Sequence, residues 1–460
     1  MATSASRRML AGAFAVAWAS AIVRLFGFAK QLVVAPAFGT GPEMDAFNGA
    51  AALPSLLTGI LGAAVETTFV PIYIRARRSG DAAAADRAFS TLVNVSVVVF
   101  GLITAVSMAE APALVRLTAP GFEPARFDLA VSLTPLLYPL LLVNVVVSLI
   151  TSALNAKGAF ARPMLAQGAV PLTVAVVVLV LGAQLGIVAM AVGELVGLLL
   201  GLALLMMSAR AAGLRYSLAL DWRSHELRVA AQQSLPVLVG SGLIHSNQFV
   251  DQLVASALPA GELSALNYAL KLISLPVSVV FLAFSRATLP HFSEQVIRED
   301  WIGLRDAIRV NSWLMVGLTA AMTIGAGFLA QPVIGLLFER GKFDHESTVA
   351  VSATFVAAAL GLVPMGLGFV IPRVFNALQR NDILTWITLF SVSANVVLDL
   401  LLAPHMGAVG IALATSLVYW AALMIQLVVL SRSLGGFNPL GAPAQLQTRW
   451  QHFARARGLQ

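Results

Sequence analysis

VRLFGFAKQLVVAPAFGTGPEMDAFNGAAALPSLLTGILGAAVETTFVPIYIRARR, residues 23–78, contains two apolar segments that are each long enough to cross a membrane. The first segment carries Arg24 and Lys30, although a cation at mid-depth in a bilayer costs about 2.5–3.5 kcal/mol on insertion scales. Such a cation persists where it faces a bundle interior, a water-filled cavity or an anionic partner. The stretch therefore predicts a helical membrane bundle in which these cations meet an anion.

Arg24 and Lys30 lie six positions apart, which places them roughly 240° apart around a straight helix. Either the helix bends near Gly27, or one cation faces the cavity and the other its rim. A third reading is that Lys30 extends along the helix to a lipid headgroup. The sequence leaves these alternatives open.

Composition sets the class of protein. Of 460 residues, 58% are hydrophobic and 11% charged, with a mean hydropathy of +0.86, whereas soluble domains carry about 25% charged residues. The chain has no cysteine, which excludes disulfides, thiolate metal sites and cysteine nucleophiles. No nucleotide loop or metal-spaced cluster is found, and the longest segment between spans, about residues 209–228, is too short for a catalytic domain. We expect a transporter that is not an enzyme, has no cofactor or metal, and draws energy from the membrane potential or from Na⁺ or H⁺.

Apolar runs of about 20 residues, the length that crosses the hydrocarbon core, predict twelve transmembrane helices. They fall at about 10–36, 45–74, 89–113, 129–153, 164–184, 187–208, 229–256, 264–290, 308–337, 347–375, 381–403 and 407–430. If both termini are cytoplasmic, the inner segments hold 20 Lys and Arg residues and the outer loops hold 4. This asymmetry predicts a multi-pass protein of the bacterial inner membrane in that orientation.

Internal similarity indicates two copies of one six-helix unit. NAKGAFARPML from Asn155 parallels NALQRNDILTW from Asn376, and the same offset pairs Gly186 with Gly407. Six crossings per copy make the repeats parallel, so we expect an all-α fold of two lobes related by a pseudo-twofold axis along the membrane normal. The predicted lobes are residues 1–222 and 223–432, followed by a cytoplasmic tail at 433–460.

Cations from both lobes indicate a site for an anionic cargo. Lys271 lies early in the eighth span and Arg24 lies in the first; two such cations in one cleft would attract a phosphate or pyrophosphate. The alternative is that Lys271 pairs with Asp251 or Glu262 and only shapes the fold.

Two further sets of residues are candidates for the transport cycle. Pro54 and Pro276, which correspond in the two repeats, are candidate hinges because proline removes a helical hydrogen bond; a static kink is the alternative. Asp251 and Asp399, acids within spans, are candidate coupling-ion ligands, or they simply neutralise cations.

Motifs kept in order over nearly the whole chain resemble the MurJ/MviN family of lipid II flippases, within the multidrug/oligosaccharidyl-lipid/polysaccharide exporter (MOP) superfamily. They are VRLFGFAKQLVVAPAFGTGPEMDAF, LPSLLTGILG, TTFVPIY, ALNYALKLISLP, ATLPHFSE and LLFERGKFD. The resemblance implies an alternating-access flippase that exports an undecaprenyl-pyrophosphate-linked saccharide, with dependence on membrane potential.

Carried over by motif, Arg24 and Lys30 occupy cationic positions of the family, Lys271 matches the arginine of its NYADRL-like segment, and Asp45 matches the acid of its DAF motif. Thr58 stands where an arginine is typical, and typical members have two more C-terminal helices.

Our leading hypothesis is a flippase for a polyprenyl-pyrophosphate-linked glycan, with lipid II as the cargo. Arg24, Lys30 and Lys271 would bind the pyrophosphate, Asp45 would belong to the same site, and Asn48 and Asn267 would contact sugars. The alternatives are a flippase for an exopolysaccharide or O-antigen repeat unit, a cation-coupled multidrug exporter, and a membrane-embedded glycan polymerase or ligase. We expect a monomer that contacts membrane lipid and does not bind nucleic acid.

Overall fold

The protein is described by a computed structural model over residues 4–78, 82–218, 221 and 225–441. In this part of the chain fifteen α-helices form, and the other regular feature is an isolated antiparallel bridge between Arg340 and Phe343. The helices are α1 Ser4–Phe38, α2 Pro42–Arg78, α3 Ala82–Ala109, α4 Ala111–Thr118, α5 Pro124–Leu137, α6 Pro139–Ala156, α7 Ala161–Ala166, α8 Ala169–Leu185, α9 Val188–Ala211, α10 His225–Ser256, α11 Glu262–Ile297, α12 Trp301–Phe338, α13 His345–Ala359, α14 Leu362–Ala377 and α15 Asn381–Ser433.

The predicted spans coincide with these helices. Nine helical stretches in the described ranges are long and apolar enough to cross a membrane. The longest, α15, holds two predicted spans because its backbone breaks at Gly407, with φ 61° and ψ −142°. The predicted end of the third span at residue 113 is wrong, since α3 ends at Ala109 and α4 begins two residues later. The all-α polytopic fold is confirmed.

Backbone breaks recur at the spacing of the sequence repeat. Residues with positive φ lie 221 or 222 positions apart in four pairs, Gly39/Gly261, Gly158/Gln379, Gly186/Gly407 and Gly213/Gly435. The last predicted span of each half begins at one of these breaks, and Gly186 and Gly407 have nearly the same conformation, at φ 56°, ψ −141° and φ 61°, ψ −142°. The two halves of the chain therefore repeat the same local design.

Contacts divide the chain into two compact units. The first consists of Met1–Ser264 with Leu337–Ser347, and the second of Ala265–Leu336 with Thr348–Gln460. Each unit has its own apolar core. Phe69, Tyr73 and Phe89 are central in the first core, and Phe292 and Phe375 are fully buried in the second. The predicted boundaries at residues 222 and 432 stay predictions.

A short segment follows the last helix of each repeat and is bound back onto a long helix of its own unit. After α9, the Ser217 N–H donates to Ser90 Oγ of α3 at 3.0 Å, and Tyr216 Oη donates to Asn94 Oδ1 at 2.5 Å. After α15, Arg305 of α12 donates to the Leu434 carbonyl at 2.7 Å. Both segments are therefore part of the folded units.

Candidate functional site

Arg24 and Lys30 lie on the continuous helix α1, and their surroundings differ. Lys30 forms an ion pair with Glu194 of α9, with Nζ and Oε1 3.4 Å apart. Arg24 is half-buried and makes no ion pair with any residue in the described ranges. Of the two predicted pyrophosphate ligands, Lys30 is thus paired, whereas Arg24 has no ion-pair partner in the described part of the chain.

Lys271 and Asn267 lie one turn apart on α11, in the second unit. Residues four positions apart share a helix face, so their side chains project from the same side of α11. Asn267 is buried and Lys271 is half-buried. Contact of these two side chains with a saccharide and its pyrophosphate stays a prediction.

Asp45 belongs to the first unit, where it caps the beginning of α11. Its side chain is fully buried, and its oxygens accept hydrogen bonds from the Gly261 and Ser264 N–H groups at 2.7 and 2.8 Å. The Ser264 hydroxyl donates to the same carboxylate at 2.5 Å. A helix begins with N–H groups that lack helical partners and carry partial positive charge, and a carboxylate satisfies both needs. The geometry gives Asp45 a structural role and leaves its carboxylate no surface for a ligand.

Arg126 of α5 completes this arrangement and was not singled out by the sequence, which placed it among ordinary outer-loop cations. Its guanidinium is 5% exposed and lies 3.5 Å from Asp45 Oδ2. It also donates to the Leu258 carbonyl at 3.4 Å and lies over the Phe122 ring at 5.2 Å. Nothing in a single sequence distinguishes it from an exposed arginine, because Asp45 on α2 and Leu258 in the α10–α11 turn are distant from it along the chain.

The α1–α2, α10–α11 and α12–α13 turns meet around Asp45 and Arg126, and we call this set the turn cluster. The Lys342 N–H donates to the Pro36 carbonyl at 2.8 Å, and the Thr40 and Ser347 hydroxyls are 2.9 Å apart. A side chain on Gly39 would collide with the Lys342 carbonyl. The α1–α2 and α12–α13 turns are therefore in direct contact, and the α10–α11 turn lies against the α1–α2 turn, since a Cβ on Gly261 would lie 2.9 Å from the Thr40 carbonyl oxygen.

Two charged groups at the surface of the turn cluster contribute less to its stability. Lys342 pairs with Glu43 at 3.1 Å, but the two side chains are 60% and 42% exposed, and exposed pairs add little stability. Asp344 caps α13, and the hydrogen bond from the Ser347 N–H lowers the pKa of the Asp344 carboxyl.

Asn48 lies one turn after Asp45 on α2. It is 7% exposed, and its Nδ2 donates to Ser264 Oγ at 3.4 Å. The predicted sugar-contacting amide thus lies beside the turn cluster. Contact between Asn48 and a saccharide stays a prediction.

The two candidate coupling-ion acids fall in different units. Asp399 is fully buried on α15, where it accepts a hydrogen bond from Asn395 Nδ2 at 2.7 Å. Thr415, beyond the break at Gly407, donates to Asn395 Oδ1 at 3.3 Å. Asp251 is 4% exposed on α10 in the first unit. Asp399 thus lies in a polar cluster with Asn395 and Thr415, in which the amide N–H₂ group faces the carboxylate. Binding of a coupling ion by Asp251 or Asp399 stays a prediction.

The two candidate hinge prolines lie inside continuous helices. Pro54 is buried within α2, and Pro276 is exposed on α11. Hinge motion at these positions stays a prediction.

Comparison with known proteins places these residues in a family context. The family model described as lipid II flippase MurJ matches residues 34–453. A probable lipid II flippase MurJ of Rickettsia prowazekii (strain Madrid E) is 27% identical over 416 residues, which are 88% of this chain and 80% of that protein. The corresponding protein of Synechocystis sp. (strain ATCC 27184 / PCC 6803 / Kazusa) is 28% identical over 443 residues, 92% of this chain and 81% of the relative.

Solved structures agree at the level of the fold. A lipid II flippase MurJ in an inward closed conformation matches with a TM-score of 0.80 at 22% identity, covering 90% of this chain and 87% of that chain. An inward-facing multidrug resistance MATE transporter of the MOP superfamily matches with a TM-score of 0.76 at 15% identity, covering 91% and 95%. The fold is that of the MOP superfamily. Within it, the match to the family model is to lipid II flippase MurJ.

Proposed function

We propose that this chain moves lipid II from the inner to the outer leaflet of the bacterial inner membrane, because it belongs to the MurJ family of lipid II flippases. The observation that carries this proposal is the family match over residues 34–453, which includes both repeats. Lipid II is a saccharide on an undecaprenyl pyrophosphate, so the cargo has one anionic group, one polar group and one apolar tail. A peptidoglycan precursor must cross the membrane before the cell wall can be extended.

The anionic group explains the cations within the spans. Arg24, Lys30 and Lys271 bind the pyrophosphate, because an ammonium or guanidinium forms strong charge-assisted hydrogen bonds with phosphate oxygens. Asn48 and Asn267 contact the saccharide. The half-buried position of Arg24 supports this assignment, since a cation within a membrane-spanning helix needs an anion or water.

The turn cluster acts as the closure on the side where cargo leaves. With both termini in the cytoplasm, the α1–α2 turn faces outward, so the cluster must open before lipid II enters the outer leaflet. Bending at Pro54 and Pro276 accompanies this opening. The buried Asp45 and its hydrogen bonds to the beginning of α11 support a closure that is stable and reversible.

Transport is driven by an ion gradient or by the membrane potential, and Asp251 and Asp399 are the proposed coupling-ion ligands. The complete burial of the Asp399 carboxylate beside the polar side chain of Asn395 supports its role. The protein works as a monomeric transporter, without cofactor or covalent chemistry.

Depletion of the protein in its host tests the proposal. Cells would be treated from outside with an enzyme that cleaves only outward-facing lipid II, and the cleaved fraction would be compared before and after depletion. We expect lipid II to become protected, with recovery by the wild type and not by Lys271→Ala. Arg380→Ala, which removes an exposed cation outside the turn cluster, is the matched control and should restore cleavage. Lipid II that stays cleavable in depleted cells would overturn the assignment and direct attention to another polyprenyl-linked glycan.

A further inference from the structure

The ion pair between Lys30 and Glu194 is long and has a single contact. Nζ lies 3.4 Å from Oε1, whereas charge-assisted hydrogen bonds are usually about 2.7–2.9 Å long. Only one carboxylate oxygen takes part. The pair is therefore close enough to neutralise both charges and loose enough to exchange for another partner.

Both members of the pair lie deep in their helices and keep an accessible surface. Lys30 is eight residues from the end of α1 and Glu194 six residues from the beginning of α9, about 12 and 9 Å along the helix axes. Their side chains are 15% and 21% exposed. Charged atoms at such depth face the bundle interior or water rather than lipid, so the exposed parts of this pair are accessible to a polar ligand.

Glu194 is held on a rigid support, whereas Lys30 is free to turn. A Cβ on Gly193 would lie 2.8 Å from Val174 Cα, and one on Gly197 would lie 2.7 Å from Val170 Cα. These glycines let α9 pack directly against the α8 backbone, which fixes the position of Glu194. Lys30 carries its ammonium on a flexible four-carbon chain. A change of partner at this site therefore needs only side-chain rotation and no movement of α9.

We propose that Glu194 is a specificity-determining residue that occupies Lys30 when no cargo is bound, so that an entering anion must displace its carboxylate. This inference rests on the proposed function, because it requires Lys30 to bind the pyrophosphate. Arg24 has no ion pair in the described part of the chain and meets the anion first. Lys30 then joins only if the anion competes successfully with Glu194.

The competition explains how one lipid is selected from a membrane full of phosphate headgroups. A phosphodiester carries one negative charge and does not outcompete a carboxylate already in place. A pyrophosphate carries more charge and more acceptor oxygens, and it can engage both cations. Discrimination by an unfavourable element against the wrong ligand is a general route to specificity.

The test measures binding of a short-chain prenyl pyrophosphate to the purified full-length protein in detergent, for wild type and Glu194→Gln. The amide keeps the shape of the side chain and removes its charge. We expect Glu194→Gln to bind this probe about fivefold more tightly, since a partly buried pair contributes about that factor. A prenyl monophosphate should gain about tenfold or more, because it acquires a charge-assisted contact to Lys30 that the wild type denies it.

Two backgrounds separate this role from a purely structural one. In Lys30→Gln, adding Glu194→Gln should no longer change affinity, because the competed cation is gone. Glu194→Asp retracts the carboxylate by one methylene and should give an intermediate affinity; it also replaces Glu194→Gln if that variant does not fold. Unchanged or weaker binding by the folded Glu194 variants, with normal wild-type binding, overturns the inference and leaves the proposed function standing. If wild type and variants all fail to bind the pyrophosphate probe, both fall.

Discussion

At the residue scale, a carboxylate inside a membrane bundle is stable when its oxygens meet donors, and Asp45 meets them at the beginning of α11. Two backbone N–H groups and one hydroxyl donate to it, and the Arg126 guanidinium lies 3.5 Å away. Losing one member of a buried charged network leaves the others unsatisfied. The contacts of Asp45 therefore contribute more to the stability of the fold than those of exposed charges in the same turn cluster.

Asp45→Asn tests this difference. The amide removes the charge and supplies a donor where two N–H groups already point, so we expect a loss of about 1–3 kcal/mol in the free energy of unfolding. Thermal unfolding of the purified protein in detergent would measure it. Lys342→Gln, which breaks the exposed pair with Glu43, should change stability by about 0.5 kcal/mol or less. Equal losses in the two variants would contradict the structural role of Asp45.

Ser90 and Ser312 occupy equivalent positions of the two repeats, 222 residues apart, and both are fully buried. Ser90 Oγ accepts the Ser217 N–H. The equivalent of Ser217 is Pro439, which has no N–H, and Ser312 Oγ has no hydrogen-bond partner in the described part of the chain. The second repeat thus has a buried hydroxyl at this position without the backbone donor found in the first.

Substitution by alanine is therefore expected to have opposite effects on stability at Ser90 and at Ser312. Ser90→Ala leaves the Ser217 N–H without its acceptor and should destabilise by about 1 kcal/mol, whereas Ser312→Ala removes an unsatisfied buried hydroxyl and should be neutral or stabilising by up to about 1 kcal/mol. Parallel unfolding curves in one detergent would resolve the two. Similar destabilisation by both would mean that the hydroxyl of Ser312 is satisfied.

At the element scale, the sequence predicted where helices lie better than what their polar residues contact. Span positions follow from apolar length, and Gly186 and Gly407, paired by the sequence repeat, lie at two helix breaks in the structure. The Lys30–Glu194 pair joins residues 164 positions apart, a contact that only the fold brings about. Asp45 was predicted to belong to the cargo site because it matches the acid of the family's DAF motif, and in the structure it caps α11. The periodicity of apolar residues indicates which residues are buried, but it does not show which residue a buried polar side chain contacts.

The substitution Gly407→Ala tests whether the helix breaks have a strained backbone. At φ 61° and ψ −142° a Cβ is strained, and such conformations cost about 1–3 kcal/mol. Gly186→Ala should cost a similar amount. Gly182, a helical position where a Cβ would make an ordinary contact with Val178 at 3.6 Å, is the control, and its alanine variant should gain up to about 1 kcal/mol. Equal thermal stability of all three variants would show that the breaks are not strained.

At the scale of the whole molecule, a flippase must pass between states open to opposite leaflets, and each state needs contacts that can form and break. The turn cluster combines a buried capping carboxylate with hydroxyl and backbone contacts between three turns. The proposed cycle requires all of them to separate once for each lipid exported. Their covalent fixation should therefore stop transport without unfolding the protein.

Thr40→Cys combined with Ser347→Cys provides this fixation. The two hydroxyl oxygens are 2.9 Å apart, within reach of a disulfide after small side-chain rotations, and the cysteine-free chain ensures that no other disulfide forms. Under oxidising conditions we expect outward exposure of lipid II to fall at least about tenfold, and reductant should restore it. The two single-cysteine variants should remain active in both conditions. Full activity of a completely cross-linked protein would mean that lipid II leaves by a path that does not require the turn cluster to open.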